Sequence, residues 1–536
     1  MIAGLVAAVV VGLAELTGRR GVDLAATVYR VEQFRQHGFA LWDFAWYGGH
    51  WTLGYSVVYP PLAAAAGVGG LAVLSAVGAA VAFDRLVRPR LGPGGWPASI
   101  VFALGTVVAA SIGQMPFLTG EAFGMAALWA IDRRRWWAAV GLALLSTLSS
   151  PLSGAFVALA AAAWALHDRS AWRQRLVPAG AVVAVALIPT GLTAVLFPGQ
   201  GNMPYPFMDY VWEVVVALAI AALAWRSLPA VRTGALFVVA SATFAEAVPS
   251  ALGGNVGRIE DVAALPLAVG LAWTGIRLLL PVLVVPLALS QWGPAWGALT
   301  SIPGAPSASR AFFAPLDRVL ARDGATGPPG RVEVVPTAYH WEAAYVAPTM
   351  PLARGWERQL DEADNPLFYG GRLTPSTYRD WLLDNGVRFV ALPAAPLDMA
   401  GTAEGALISS GRVPGLRPVW ISPDWRLYAV AGSPGITSGP GRLVSTGDGR
   451  VVVDATGPGR VTLRIRYSRQ WALTGGSGCV TRADGSWMSL QVPRAEQLTL
   501  SLSIPPAAPP RCRSVSLASR GKGGGPARPA ITRPAS

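Results

Sequence analysis

Lysine is all but missing: Lys522 is the only one in 536 residues. Cysteine is nearly as scarce, with Cys479 and Cys512 alone, and charged residues reach only 14% against 52% apolar. Each shortage excludes something. So apolar and so weakly charged a chain is no ordinary soluble enzyme. Two cysteines in no CxxC or Cys/His cluster exclude a structural zinc site. They leave two alternatives open, one disulfide in an oxidising compartment or two buried thiols. The net charge of +13 would usually suggest nucleic acid. Here it is arginine set between apolar runs, which is a topology signal with anionic-lipid contact secondary, and no nucleic acid is expected. No internal repeat is visible.

What is present is a long series of apolar segments, about eleven of them, concentrated before residue 300. They fall near 2–17, 60–83, 96–113, 116–131, 136–150, 151–167, 176–197, 209–226, 229–250, 262–276 and 278–293. The first lacks a basic flank and a clear cleavage site, so it reads as a retained span. It is about sixteen residues long against roughly twenty for a typical span, which leaves room for a start upstream. Alternate connections carry Arg85, Arg88 and Arg90; Arg133, Arg134 and Arg135; Arg169, Arg173 and Arg175; Arg226 and Arg232; and Arg277. Positive charge stays cytoplasmic. The amino terminus is therefore expected inside the cytoplasmic (inner) membrane, and loop 18–59 and everything after 293 outside. Arg19 and Arg20 run against this pattern.

The expected fold class is a polytopic α-helical membrane domain, residues 1–300, followed by two extracytoplasmic units. Residues 305–434 alternate helix and strand: TPSTYRDWLLDNG is a helix ending at Gly386, VRFVALP a buried strand, and VWISPDWRLYAVAG a hairpin around Ser422-Pro423-Asp424. Residues 441–517 carry RVVVDA, RVTLRIRYS, SWMSLQVP and LTLSLSIP between Gly-rich turns, which suggests a small β-sandwich. The Gly/Pro/Arg-rich tail 518–536 is expected to be disordered.

Loop 18–59 is the polar exception in the apolar half. Asp23 follows the first span closely, where a carboxylate can hold a divalent cation or accept a proton from a hydroxyl. The helix-like stretch DLAATVYRVEQFRQHG places Tyr29, Arg30 and Phe34 within a turn or so of each other, with Arg30 able to pair with Asp23 at i,i+7 or to sit in an ordinary loop salt bridge. Next comes LWDFAWYGGHWTLGYSVVYPPL, with Asp43, Trp46, Tyr47, His50 and Tyr55. Gly48-Gly49 permits a tight turn. The aromatics can anchor at the membrane interface or stack on a sugar ring, and the interface belt is the commoner use. Three more outer features converge: Gln114 and Glu121 around MPFLTG; Asn202 and Asp209; and Asn255, Arg258, Glu260 and Asp261. A lone arginine beside acids can grip a phosphate or simply pair with Glu260 or Asp261.

At these residues the chain resembles the GT-C superfamily of integral membrane glycosyltransferases. In loop 18–62 it is similar to bacterial membrane proteins labelled "6-pyruvoyl-tetrahydropterin synthase-related". The resemblance implies Asp23 as catalytic or metal-associated acid and Arg258 as a lipid-phosphate contact. Asp23 is followed by Leu24 where many GT-C enzymes have an adjacent acidic pair, so Glu121 is the candidate second carboxylate. A divalent cation, Mg or Mn, is the implied cofactor, at Asp23. Tyr29, Arg30, Asp43, Trp46, Tyr47, His50, Tyr55, Asn255, Arg258 and Asp261 are the expected substrate contacts. The expected partners are a polyprenyl-phosphate sugar donor, a glycan or protein acceptor, and membrane lipid. The alternatives are a transporter or flippase of a lipid-linked precursor, which calls for ionisable groups in mid-membrane, and a non-catalytic scaffold.

Overall fold

The computed structural model describes residues 1–506 apart from 19–20, 54, 169, 200, 275–279, 302–304, 448, 484 and 505. Arg19, Arg20, Arg169, Arg277, Cys512 and the tail 518–536 lie outside the described residues. Cys479 is buried and disulfide-bonded.

Every apolar segment carries a helix. The series runs α1 (Ile2–Leu16), α2 (Leu24–His37), α3 (Tyr59–Ala66), α4 (Val68–Leu91), α5 (Gly95–Ile112), α6 (Met115–Asp132) and α7 (Trp136–Ser149). It continues with α8 (Pro151–Leu166), α9 (Trp172–Leu196), α10 (Phe207–Leu223), α11 (Pro229–Ala247), α12 (Arg258–Thr274) and α13 (Leu280–Ser301). Prolines open α3, α6, α8 and α11, where the missing N–H costs nothing. Among the described residues, three helical stretches are long and apolar enough to cross a membrane: 68–112, Trp172–Leu196 and Pro229–Ala247. Large apolar side chains on α9 and α13, among them Val177, Ile188, Val195, Val282 and Leu289, point outward without protein cover. Such faces need lipid. The molecule is a helical membrane protein with a β-rich C-terminal part.

Among the described residues, Arg90 and Arg175 from two of the arginine-bearing connections line one cavity with Asp132 and His167. Arg90 pairs with Asp132 there. Guanidinium groups lie over indoles at Arg133–Trp129 (6.0 Å), Arg175–Trp164 (5.0 Å) and Arg232–Trp225 (4.9 Å). The C-terminal part touches the helical part where the side chains of Gln470 and Gln359 donate to the carbonyls of Leu196 and Ala251.

The C-terminal part opens with α14 (Arg310–Gly324) and a four-stranded sheet in the order β3-β4-β6-β5. The label β1 belongs to Trp42–Asp43 and β2 to His50–Trp51, a short pair inside the loop. Strand β3 (Arg331–Val334) runs parallel to β4 (Val387–Pro393). Their crossover holds α15 (Glu342–Tyr345), α16 (Arg358–Asp364) and α17 (Pro375–Asp384). Thr374 closes a capping box at the start of α17, and Gly386 follows its end at φ 65°. After α18 (Met399–Ser409), β5 (Leu416–Ile421) and β6 (Trp425–Val430) form the expected hairpin.

Two antiparallel sheets come next. One is ordered β12-β13-β10-β7, the other β11-β14-β9-β8. Their strands are β7 (Thr437–Ser438), β8 (Gly441–Gly447), β9 (Arg450–Ala455), β10 (Gly459–Arg466), β11 (Trp471–Gly475), β12 (Cys479–Arg482), β13 (Trp487–Val492) and β14 (Glu496–Leu502). Val461, Leu463 and Ile465 alternate inward along β10 and meet Val451, Val453, Leu498 and Leu500 from the other sheet.

Loop 18–59 joins these parts. Trp42 and Trp51 enter the sandwich core beside Trp471 and Phe197. Trp46 and Tyr47 are fully buried in the core shared by the helices and the α/β unit. The interface belt expected for these residues is thus corrected: they bury their rings in protein, because the C-terminal part sits directly on the loop. Tyr47, Gly48 and Gly49 take φ of 56°, 77° and 113°. The turn lets Trp487 and Arg331 close over Gly48 and Trp42 over Gly49, where a Cβ would collide.

Candidate active site at Asp23

Asp23 is the N-cap residue of α2. Its backbone N–H donates to the Ile112 carbonyl at 3.1 Å, where α5 ends. That close approach depends on glycine on both sides: Gly113, at φ 97°, leaves no room for a Cβ against Leu24, and Gly21 none against Ile112. The half-buried Asp23 carboxylate accepts a hydrogen bond from the Gln114 side chain and lies in the fields of Arg258, His340 and Arg358. Burial raises its pKa above the ordinary carboxylate value, and these four neighbours oppose the rise.

Arg258 opens α12 and makes no ion pair among the described residues. Its guanidinium lies 5.7 Å from the Phe117 ring centroid. Tyr55 completes this face; it is 37% exposed, feels the charges of Asp23 and Arg258, and sits under the Arg30 guanidinium at 4.9 Å. Phe117 belongs to the wall of a cavity of about 560 Å³ bounded by α4, α6, α8, α10, α11 and α12. The cavity follows α6 from Phe117 to Asp132, on the order of 22 Å of helix. Its lining is mainly aliphatic, with Glu121, Glu213 and Glu260 among it.

The other sequence-derived candidates divide. Arg30 does not pair with Asp23. It lies two turns further along α2, roughly 10 Å of rise, and ion-pairs instead with Glu357 of the α/β unit. Tyr29 donates to Asp43 Oδ1 at 2.9 Å, which also accepts from the Ala45 N–H at 2.9 Å. His50 stacks on Trp46 with the planes 3° apart and stands 3.9 Å from Asp43 and 4.0 Å from Glu357. Burial and the Arg30 charge push the His50 pKa down to about 3. Trp46 Nε1 donates to the Ala343 carbonyl at 3.1 Å, and the Glu357 N–H donates to the Tyr47 hydroxyl at 2.9 Å. These six residues form a buried clamp between the loop and the α/β unit.

Glu121 does not meet Asp23. It lies two turns inside α6 in the cavity wall, whereas Gln114, the N-cap of that helix, supplies the contact. Asn255 bonds the Ala251 carbonyl in the turn before α12. Asp261 lies one turn from Arg258 without forming an ion pair. His340, Trp356, Arg358 and Asp398 were not singled out from sequence. The dense aromatic and charged stretch PTAYHWEAAYVAPTMPLARGWERQL is the signal that marks three of them.

A divalent cation fits this site poorly. Among the described residues, no three His, Cys, Asp or Glu side chains gather to hold a metal. Asp23 has, among the described residues, one amide donor and three basic side chains acting on it, and no second carboxylate is among these neighbours. A lone carboxylate offers too few oxygen ligands for a dedicated divalent site, so no step below runs through one.

No protein-family model matches the chain, and no curated protein matches its sequence. Among solved structures it is similar to apo ArnT from Cupriavidus metallidurans, at 14% identity and a TM-score of 0.45, over 78% of this chain and 95% of that one. At that level the likeness carries no weight for the chemistry.

Proposed function

We propose that this chain is a membrane glycosyltransferase. It would move a sugar from a polyprenyl-phosphate donor to a cell-envelope glycan or protein on the outer side of the cytoplasmic membrane. One juxtaposition carries the reading. Asp23 faces Arg258, which has no ion-pair partner among the described residues and rests on Phe117 in the wall of a long apolar cavity. A polyprenyl chain suits the cavity, its phosphate suits Arg258, and the sugar then lies toward Asp23 and the exposed Tyr55. Asp23 accepts the proton of the acceptor hydroxyl, whose oxygen bonds to the anomeric carbon. The bond from that carbon to the phosphate oxygen breaks, and Arg258 stabilises the charge on the departing polyprenyl phosphate. Tyr29, Arg30, Asp43, Trp46, Tyr47 and His50 serve by holding the loop. Asn255 and Asp261 shape the turn that presents Arg258. The arginine pattern supports about eleven spans with the C-terminal units outside.

Polyprenyl phosphate itself is the probe. Native mass spectrometry of the purified protein should show one bound molecule, with affinity at least tenfold weaker in Arg258→Gln, because a charge-assisted phosphate contact is lost. Equal binding by both proteins would remove Arg258 from the site.

A second reading has an observation behind it. Glu121, Glu213 and Glu260 line the cavity, more ionisable groups within the helices than the sequence suggested. Such residues also mark transport routes, so a flippase of a lipid-linked precursor is the alternative.

A further inference from the structure

Behind one wall of the large cavity, the first turn of α12 meets α13. Glu260 and Asp261 from α12, and Ser290 and Gln291 from α13, enclose a small void together with aliphatic side chains. The void is too narrow for a water molecule. Glu260 lines it and the large cavity alike.

The polar atoms around the void are nearly all acceptors. Glu260 Oε1 and Oε2 are buried and make no hydrogen bond among the described residues, and neither does Gln291 Oε1. Gln291 is only 4% exposed. Its Nε2 donates to the Asp261 carbonyl, which fixes the amide and leaves Oε1 as the end that faces the void. Gly105 of α5 makes room for this amide, since a Cβ there would stand 2.8 Å from Nε2. Ser290 Oγ accepts from Trp212 Nε1 at 3.2 Å and keeps a further lone pair. Trp212 also acts on Glu260, but it has a single N–H, and that is directed at Ser290. Pro294 has no N–H to give to the Ser290 carbonyl, so that residue carries another free acceptor. Asp261 and Glu213 add negative charge around Glu260.

Buried oxygens placed in this way need a positive partner. A proton on Glu260 supplies one hydrogen bond, from one carboxyl oxygen to Gln291 Oε1, and leaves the other carboxyl oxygen without a donor. A small cation can touch all three oxygens and Ser290 Oγ at once. The narrow space selects the ion. Mg²⁺ keeps several waters, and Ca²⁺ takes roughly six to eight oxygens. The void offers neither. K⁺ is about as large as a water molecule, whereas Na⁺ is smaller.

We propose that Glu260, Ser290 and Gln291 form a sodium-ion site between α12 and α13. The ion enters from the large cavity, whose wall Glu260 shares. Glu260 stands two residues after Arg258, and α13 is the last helix before the C-terminal part. The bound ion therefore fastens the helix that carries Arg258 to the helix that leads into the soluble units. The site stands apart from Asp23, and its occupancy does not depend on the sugar-transfer reading.

Binding of radioactive Na⁺ to the full-length protein, purified in choline chloride and read by scintillation proximity, tests it. Wild type should bind Na⁺ saturably, and unlabelled Na⁺ should displace the label where equal K⁺ does not. Glu260→Gln keeps the shape and removes the charge, so its affinity should be at least about tenfold weaker. Gln291→Leu removes the facing oxygen and should weaken binding in the same direction. Na⁺, and not K⁺, should also raise the melting temperature of wild type, as a ligand of the folded state does, and leave that of Glu260→Gln unmoved. Ser290→Ala, which loses one hydroxyl, takes the place of Glu260→Gln if that variant does not fold, and should also bind more weakly. Wild type that binds no Na⁺ saturably, wild-type affinity in the variant used, or displacement by K⁺ as readily as by Na⁺ would each overturn the proposal. The first of these would leave Glu260 as a neutral acid bonded to Gln291.

Discussion

Asp23→Asn is expected to reduce sugar transfer by roughly 10²- to 10⁴-fold, the range that a positioned general base contributes, while the protein accumulates in the membrane as before. Asparagine keeps the shape, and its side chain can still bond Gln114. It also removes a carboxylate whose pKa burial has raised. The sign follows from linkage. An acid with a raised folded pKa binds more protons folded than unfolded, so its contribution to stability falls as pH rises through that window. At neutral pH the variant should therefore melt no lower than wild type. The wild-type rate should fall as acid protonates Asp23, and the acid limb should lie above the ordinary value of 3.8. Turnover in proteoliposomes beside a tryptophan-fluorescence melt checks both points. Activity within about threefold of wild type would exclude the base role, since so small a loss lies below any general-base contribution.

Arg354→Met is expected to give the largest loss of stability. Arg354 is 3% exposed and is surrounded by acids. It pairs with Glu333 at 2.7 Å, with Glu404, and with Asp361 at 3.7 Å, over the Phe368 ring at 3.8 Å. Tyr378 donates to Glu404 at 2.6 Å. Removing one member of a buried ion pair costs about 3–5 kcal/mol, because the partner is left without compensation. Here three carboxylates would be left. Burial already drives the Glu333 carboxyl well above the usual range despite Arg354. Without that cation the remaining acids must be protonated in the fold. The variant's stability should therefore recover as pH falls and be lost as pH rises through the raised folded values. A melt of the full chain across pH checks the sign. An unchanged melting temperature at neutral pH, or a variant that gains stability with rising pH, would contradict this account of the cluster.

The sequence was most legible where the pattern is local. Apolar runs bounded by arginine and proline mark the helices of the membrane part other than α2, and alternation marks VRFVALP and RVTLRIRYS as strands. The place of Asp23 just beyond the first apolar run was legible locally, whereas the role proposed for it came from the resemblance to membrane glycosyltransferases. What failed was long-range pairing. Arg30 lies near Asp23 in sequence, but helical rise carries it to Glu357, in a different unit. Glu121 carries the charge that draws the eye, yet Pro116 starts the helix and leaves Gln114 at its N-cap, beside Asp23. The loop aromatics fit a membrane belt until the C-terminal part is placed on them. His340 and Arg358 act on Asp23 only through the crossover between β3 and β4, which no spacing in a single sequence reveals.

The most direct test of the central claim is a single-turnover experiment. Purified protein in proteoliposomes is mixed with polyprenyl-phosphate hexoses and pentoses and a cell-envelope extract as acceptor, and the lipid products are resolved. The account predicts that wild type releases free polyprenyl phosphate in step with glycosylation of the acceptor, and that Asp23→Asn releases it at least about a hundredfold more slowly. Intact donor carried across the bilayer by both proteins, with no polyprenyl phosphate released, would contradict it and make the cavity a transport route.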